Sequence, residues 1–204
     1  KRNEIKKLPE TVDGYTIKVF DDPEQLDLEI TEKAKKTDSA LSRLIATYDW
    51  EYSSKAKRRF RKYWEVEIGA WHKPWNRELK SELSQKEKRQ IKDLAWAEQP
   101  QTINEVGSTF TIQGFDLNYA GVILGPSVKY RNGKVIYDPE KSCNDKAIQN
   151  RTLSDGSKQK FGEILIQHAV RVLMTRGVNG MFIYACDDEL REALKRATQR
   201  GETK

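Results

Sequence analysis

The sequence predicts an α/β fold of three layers, with a mostly parallel sheet between helices. Three observations predict it. Apolar runs of buried-strand type recur at residues 43–48, 119–124 and 180–185. Helical stretches with acidic starts and basic ends fall among them. The first strand, helix and strand are spaced as in a βαβ unit, which pairs strands in parallel.

Taken in order, residues 15–20 alternate and are rich in β-formers, so they read as a strand. Asp21 and Asp22 then precede Pro23 and Glu24, an acidic cap with proline in the first turn of a helix. That helix carries Leu26, Leu28, Ile30 and Ala34 and ends among Lys33, Lys35 and Lys36. After the strand at 43–48 the composition changes. All five tryptophans, Trp50, Trp64, Trp71, Trp75 and Trp96, fall in the next stretch, with a dense basic run at 55–64 and a mixed-charge helical segment at 80–92. We expect one domain over residues 1–204, with a core at about 15–50 and 101–196 and a Trp-rich basic insertion at about 51–100.

Residues 103–113 are β-like, and 119–124 form the next strand. A β-hairpin over 128–137 turns at Asn132-Gly133, the strongest short hairpin signal. The polar stretch 142–160 reads as a mobile loop. Residues 161–176 form an amphipathic helix in which Ile164, Leu165, His168, Val172 and Thr175 recur at helical spacing, and Gly177 stands where a C-cap glycine would. A strand at 180–185 and a helix at 187–196 complete the order.

Charge and composition narrow the function. Lys and Arg total 37 against 31 Asp and Glu, a net charge of +6 that suits a polyanionic partner. The two cysteines, Cys143 and Cys186, form no CxxC, so a reducing compartment and a cytoplasmic location are expected. No apolar run approaches the ~20 residues of a membrane span, and no membrane partner is expected. His72, His168, Cys143 and Cys186 lack metal-ligand spacing, and His168 reads as a core histidine. No Gly-x-x-x-x-Gly-Lys-Ser/Thr loop is present to cradle phosphates.

Two segments carry chemistry. In the first, Thr109, Phe110 and Thr111 lead into Gln113-Gly114-x-Asp116; in the second, Leu173-Met174 precede Thr175-Arg176-Gly177 at a helix end. In this order they resemble helicase motifs V and VI. Gly125-Pro126, the hairpin Tyr130-x-Asn132-Gly133-Lys134, Tyr184-x-x-Asp187 and the strand end at 43–50 extend the resemblance. Together they resemble the Schlafen-like (group 3) DNA/RNA helicase domain family of uncharacterised bacterial ATP-binding proteins, over most of residues 15–196 and loosely over 52–95.

The resemblance implies a RecA-like, P-loop NTPase-type lobe, the C-terminal lobe of a superfamily-one helicase or translocase. ATP and Mg²⁺ would belong to the full-length protein, held by an upstream RecA-like lobe. This chain alone would bind neither stably and would not turn over ATP. Single-stranded DNA or RNA is the implied partner. A non-motor nucleic-acid-binding or regulatory module with a degenerate NTPase fold is the alternative, and a protein-interaction domain built on the tryptophan-rich segment is a third.

Each residue role has a plainer counterpart. Arg176 reads as an arginine finger, because its planar fork grips phosphate oxygens and Thr175 and Gly177 flank it, in preference to a surface arginine closing a helix. The resemblance places Gln113, Gly114, Asp116 and Thr175 at the nucleotide, with Gly114 allowing close backbone approach. Asp116 also fits a helix N-cap, and Gln113 a turn amide. Thr109 and Thr111 fit hydroxyl contacts to a phosphate backbone, or simple strand propensity. Phe110 stands where the family usually carries histidine, and fits core packing or base stacking. Lys57, Arg58, Arg59 and Arg61 fit a single-strand platform, or a solvated basic helix. Trp71 and Trp75 are expected to pack the insertion onto the core.

Overall fold

A computed structural model describes residues 3–7, 11–36, 38, 40–54, 61–152 and 154–199. The elements are β1 (Thr11–Val12), β2 (Tyr15–Val19), α1 (Pro23–Ala34), β3 (Arg43–Ala46), β4 (Glu65–Ile68), β5 (Trp71–Pro74), α2 (Gln85–Gln90) and β6 (Leu117–Leu124). They continue with β7 (Val128–Arg131), β8 (Lys134–Tyr137), α3 (Asp145–Ile148), β9 (Asn150–Thr152), β10 (Lys158–Lys160), α4 (Gly162–Leu173), β11 (Gly177–Ala185) and α5 (Asp188–Gln199).

The main sheet runs β1-β2-β11-β6-β3. Strands β2, β11, β6 and β3 are parallel, and only the short β1 runs against its neighbour. The two longest strands, β6 and β11, take the centre, because their apolar runs suit burial on both faces. This changes the expected βαβ unit. Strands β2 and β3 do lie parallel in one sheet with α1 between them in sequence, but β11 and β6 separate them.

Alternation along the central strands divides the core into two layers. Val122 and Ile183 face one side with Ile166 and Leu173 of α4 and Leu190 and Leu194 of α5. Ile123, Phe182 and Tyr184 face the other with Leu26 and Ile30 of α1. The result is the expected three-layer α/β arrangement. Helix α1 starts as expected: Asp22 Oδ1 accepts from Glu24 N at 2.9 Å, and Pro23 occupies the first turn.

The segment between β3 and β6 is woven into this core. Val66 and Trp75 join the α1 side, and Trp96 and Ala97 join the α4 side. Buried Glu105 ties the segment together: one carboxylate oxygen accepts from the Trp96 indole at 2.6 Å and the other from Leu79 N at 3.1 Å. Burial pushes the Glu105 carboxyl up. Arg43 is buried at the start of β3, and its guanidinium donates to Thr102 Oγ1 and to the carbonyls of Ala40 and Ser42. Without a carboxylate partner in this set, burial draws its pKa down to about 10.

Four local expectations are corrected. Residues 103–113 form no strand: Pro100–Asn104 is a 3-10 turn, and only Val106 and Gly107 bridge Trp75 and Ile45. Side chains supply the reason, since Ser108 and Thr111 bond the backbone that a sheet ladder would need. Residues 142–160 hold the one-turn α3 and the antiparallel ribbon β9–β10. Gly177 caps no helix; α4 ends at Leu173 with Met174 still right-handed. Gly177 instead opens β11 where the register shifts, and a Cβ there would collide with the Gly180 carbonyl. The fourth, on α4, bears on the site. Among the described residues, no helix is long and apolar enough to cross a membrane.

Candidate functional site

The turn after Gly107 is built to present side chains outward. Thr111 Oγ1 accepts from Ser108 N at 2.7 Å and donates to Ser108 O at 2.9 Å; Ser108 Oγ accepts from Phe110 N at 3.2 Å and donates to Asn76 Oδ1 at 2.9 Å. The Thr111 hydroxyl is therefore spent on the turn and buried, which removes it as a phosphate contact. Phe110 is 53% exposed, not packed in the core, because the turn holds it out. Its ring meets Tyr48 edge-on at 5.4 Å. Gly114 has φ +76°, and a Cβ there would meet nothing within 4 Å. Its glycine suits that left-handed backbone, and the space beside it is open. Asp116 caps no helix, since the next residue begins β6.

The two motif-like segments meet at the amino ends of β6 and β11. An ion pair of 3.0 Å joins Arg176 Nη1 to Asp116 Oδ1. Arg176 Nε donates to Val172 O at 2.9 Å and Nη2 to Thr175 Oγ1 at 3.2 Å. Thr175 in turn donates to the carbonyls of Arg171 and Val172, closing the last turn of α4. The guanidinium is thus held at a helix end, where the carbonyl dipoles favour a cation.

Helix α4 has two apolar faces, and the stripe expected from the sequence is the outer one. Gly162, Ile166 and Leu173 are buried against the sheet. The expected stripe behaves otherwise: Ile164, His168, Val172 and Thr175 are exposed and Leu165 half-buried. His168 is therefore no core histidine. Leu165, His168, Ala169 and Val172 instead form one wall of an open cavity of about 340 Å³. Thr109, Phe110, Gln113, Asn144 and Arg151 complete its lining. Val172 belongs both to this wall and to the Arg176 anchor.

Beneath the cavity lies a buried acid. Asp49 Oδ2 accepts from Thr47 Oγ1 and from Ser127 N, each at 2.9 Å, at the carboxyl ends of β3 and β6. Its other oxygen is buried and unpartnered among the described residues. Burial raises the Asp49 pKa above the ordinary carboxylate value of about 4. The folded state therefore favours the protonated form. This stability is full below the unfolded value and is lost as pH rises through the folded one. Asp49→Asn is expected to flatten the fall of Tm as pH rises above about 4, and to match or exceed the wild-type Tm once the carboxylate would be charged. Thermal melts across that range check it; an unchanged slope with a lower Tm at every pH contradicts it.

The remaining expected residues divide. Lys57, Arg58 and Arg59 lie outside the described residues. Arg61 is engaged by Glu65 at 3.1 Å and Glu67 at 3.5 Å, and does not line the cavity. Trp71 and Trp75 pack their segment onto the sheet, as expected. Asn144 and Arg151 escaped sequence reading, because three-residue polar strands such as β9 carry no periodic signal. Among the described residues, no group of three or more His, Cys, Asp and Glu side chains could hold a metal ion.

Comparison with known proteins agrees with the motif pattern. Residues 1–187 match the family described as Schlafen group 3, DNA/RNA helicase domain. An uncharacterised protein of Saccharomyces cerevisiae, YPL245W, is 34% identical over 192 residues, which are 93% of this chain and 38% of that protein. The chain thus spans well under half the length of that relative. No solved structure matches it.

Proposed function

Because the chain belongs to the Schlafen group 3 DNA/RNA helicase domain family, we propose that it is the C-terminal, RecA-like lobe of an ATP-dependent helicase or translocase. In this reading residues 1–204 act as one domain. An upstream lobe of the same protein grips ATP and Mg²⁺, and the lobe described here closes on them. One observation supports the reading above the others: Arg176 and Asp116, far apart in sequence, sit 3.0 Å apart beside the Gln113 wall.

The chemistry follows from charge. Phosphoryl transfer spreads negative charge over the γ-phosphate oxygens, and a guanidinium brought to them lowers that barrier. Asp116, Val172 O and Thr175 hold Arg176 in reserve at the end of α4. Closure exchanges the solvent-facing Asp116 for phosphate oxygens. Gln113 and Thr109, on the same turn-borne wall, couple that exchange to a strand of DNA or RNA. A reducing, cytoplasmic setting suits the free Cys143 and Cys186.

The sequence holds no phosphate-cradling loop, so the 204-residue chain alone should show no ATP turnover above background. The full-length protein should hydrolyse ATP faster when single-stranded oligonucleotide is added. A phosphate-release assay on both checks this. Hydrolysis by the chain alone, abolished by Arg176→Ala, would overturn the division of labour. Strand binding without any hydrolysis by the full-length protein would favour a non-motor module.

A further inference from the structure

We infer that the cavity between Phe110 and α4 takes one base of a single-stranded nucleic acid, while Arg151 of β9 meets an adjoining phosphate. This rests on the nucleic-acid reading above and adds the place and mode of contact. Phe110 is the first observation. A large aromatic ring is left 53% exposed by a turn that the Ser108 and Thr111 hydroxyls hold together. The second is the outer stripe of α4. Leu165, Ala169 and Val172 line the same cavity as Phe110, so a flat ring there would meet both an aromatic and an aliphatic surface. A volume of about 340 Å³ falls within the range of small-ligand pockets, about 300–1,000 Å³.

The polar groups suit a base edge. Gln113 and Asn144 each offer an amide donor and acceptor, which can serve any base without fixing its identity. The cation comes from the ribbon. Arg151 of β9 lines the cavity; it is paired with Gln159, so Lys158 and Lys160 of β10 stand on the other face of the ribbon. Stacking surface beside a cation is a combination that binds single strands. The adenine of ATP shares the ring chemistry. The sequence holds no loop to cradle a triphosphate, which favours a strand, with its successive single charges.

The test uses the full chain and fluorescein-labelled oligo-dT and oligo-U of about 15 nucleotides, with a 2-aminopurine oligonucleotide as stacking reporter. Wild type should bind more weakly as salt rises and should quench 2-aminopurine. Phe110→Ala should weaken binding about 10-fold and lose the quench, while Phe110→Trp should keep both. Arg151→Ala should reduce the salt slope by about one. Exposed Phe110 can be truncated with little effect on Tm, which separates a lost contact from lost folding. Tight binding with Phe110→Ala, and no quench by wild type, would overturn the cavity assignment and leave the nucleic-acid reading standing. No binding of either oligonucleotide at low salt would overturn both. ATP or AMP displacing the 2-aminopurine signal, with oligonucleotide affinity unmoved by Phe110→Ala, would make the pocket an adenine site and also overturn the assignment.

Discussion

Arg176→Ala in the full-length protein is expected to lower kcat for ATP hydrolysis by about 10³-fold or more, with little change in KM. In the proposed role the guanidinium would stabilise charge that develops only in the transition state, so its loss should fall on turnover and not on ground-state binding. Arg176→Lys should recover little, because a point charge cannot reproduce the planar fork. Stability cannot explain such a loss. Asp116 is 62% exposed, so the ion pair it forms with Arg176 contributes little to folding. The bond to Val172 O is worth about 1 kcal/mol. Steady-state kinetics beside a thermal melt separate the two effects. Asp116→Asn gives the complementary reading: it frees the guanidinium while leaving it in place, so its effect on kcat should be far smaller.

Trp75→Ala should cost about 3–5 kcal/mol and lower Tm by on the order of 10 °C. The ring is 0% exposed and packs against Tyr48 at 5.4 Å and Trp50 at 6.3 Å. Its backbone bridges Val106, and its N–H donates to Trp64 O at 2.9 Å. Truncation therefore opens a cavity where the 51–100 segment meets the sheet. Trp75→Phe should cost much less: it keeps most of the ring and removes an indole N–H that is buried without a partner among the described residues. Denaturant or thermal melts check both. A Trp75→Ala shift within 1–2 °C would mean that this segment is an appendage the core does not need.

The central strands were legible because β6 and β11 are buried on both faces, which forces continuous apolar runs. The α4 stripe was misassigned because Leu165 and Val172 repeat at the same helical spacing as Ile166 and Leu173, and periodicity alone does not say which face meets the sheet. Residues 103–113 looked β-like because Thr109 and Thr111 favour strands. The hydroxyl of Thr111 bonds Ser108 at both its N–H and its carbonyl, and makes a turn. Arg176 and Asp116 were legible only through their motif context; nothing in their spacing required a 3.0 Å pair. Phe110 was misplaced because aromatic character argues for the core, and only the bonds at Ser108 reveal that its backbone points the ring outward.

The central claim is that this lobe delivers Arg176 to a phosphoryl group in transfer. ADP with aluminium fluoride mimics that group, so trapping of this pair by the full-length protein reads the claim most directly. Wild type should form a long-lived ADP–aluminium fluoride complex. Arg176→Ala should bind ADP with wild-type affinity and fail to trap aluminium fluoride. Equal trapping by both proteins would contradict the assignment of Arg176 and return it to closing the end of a helix.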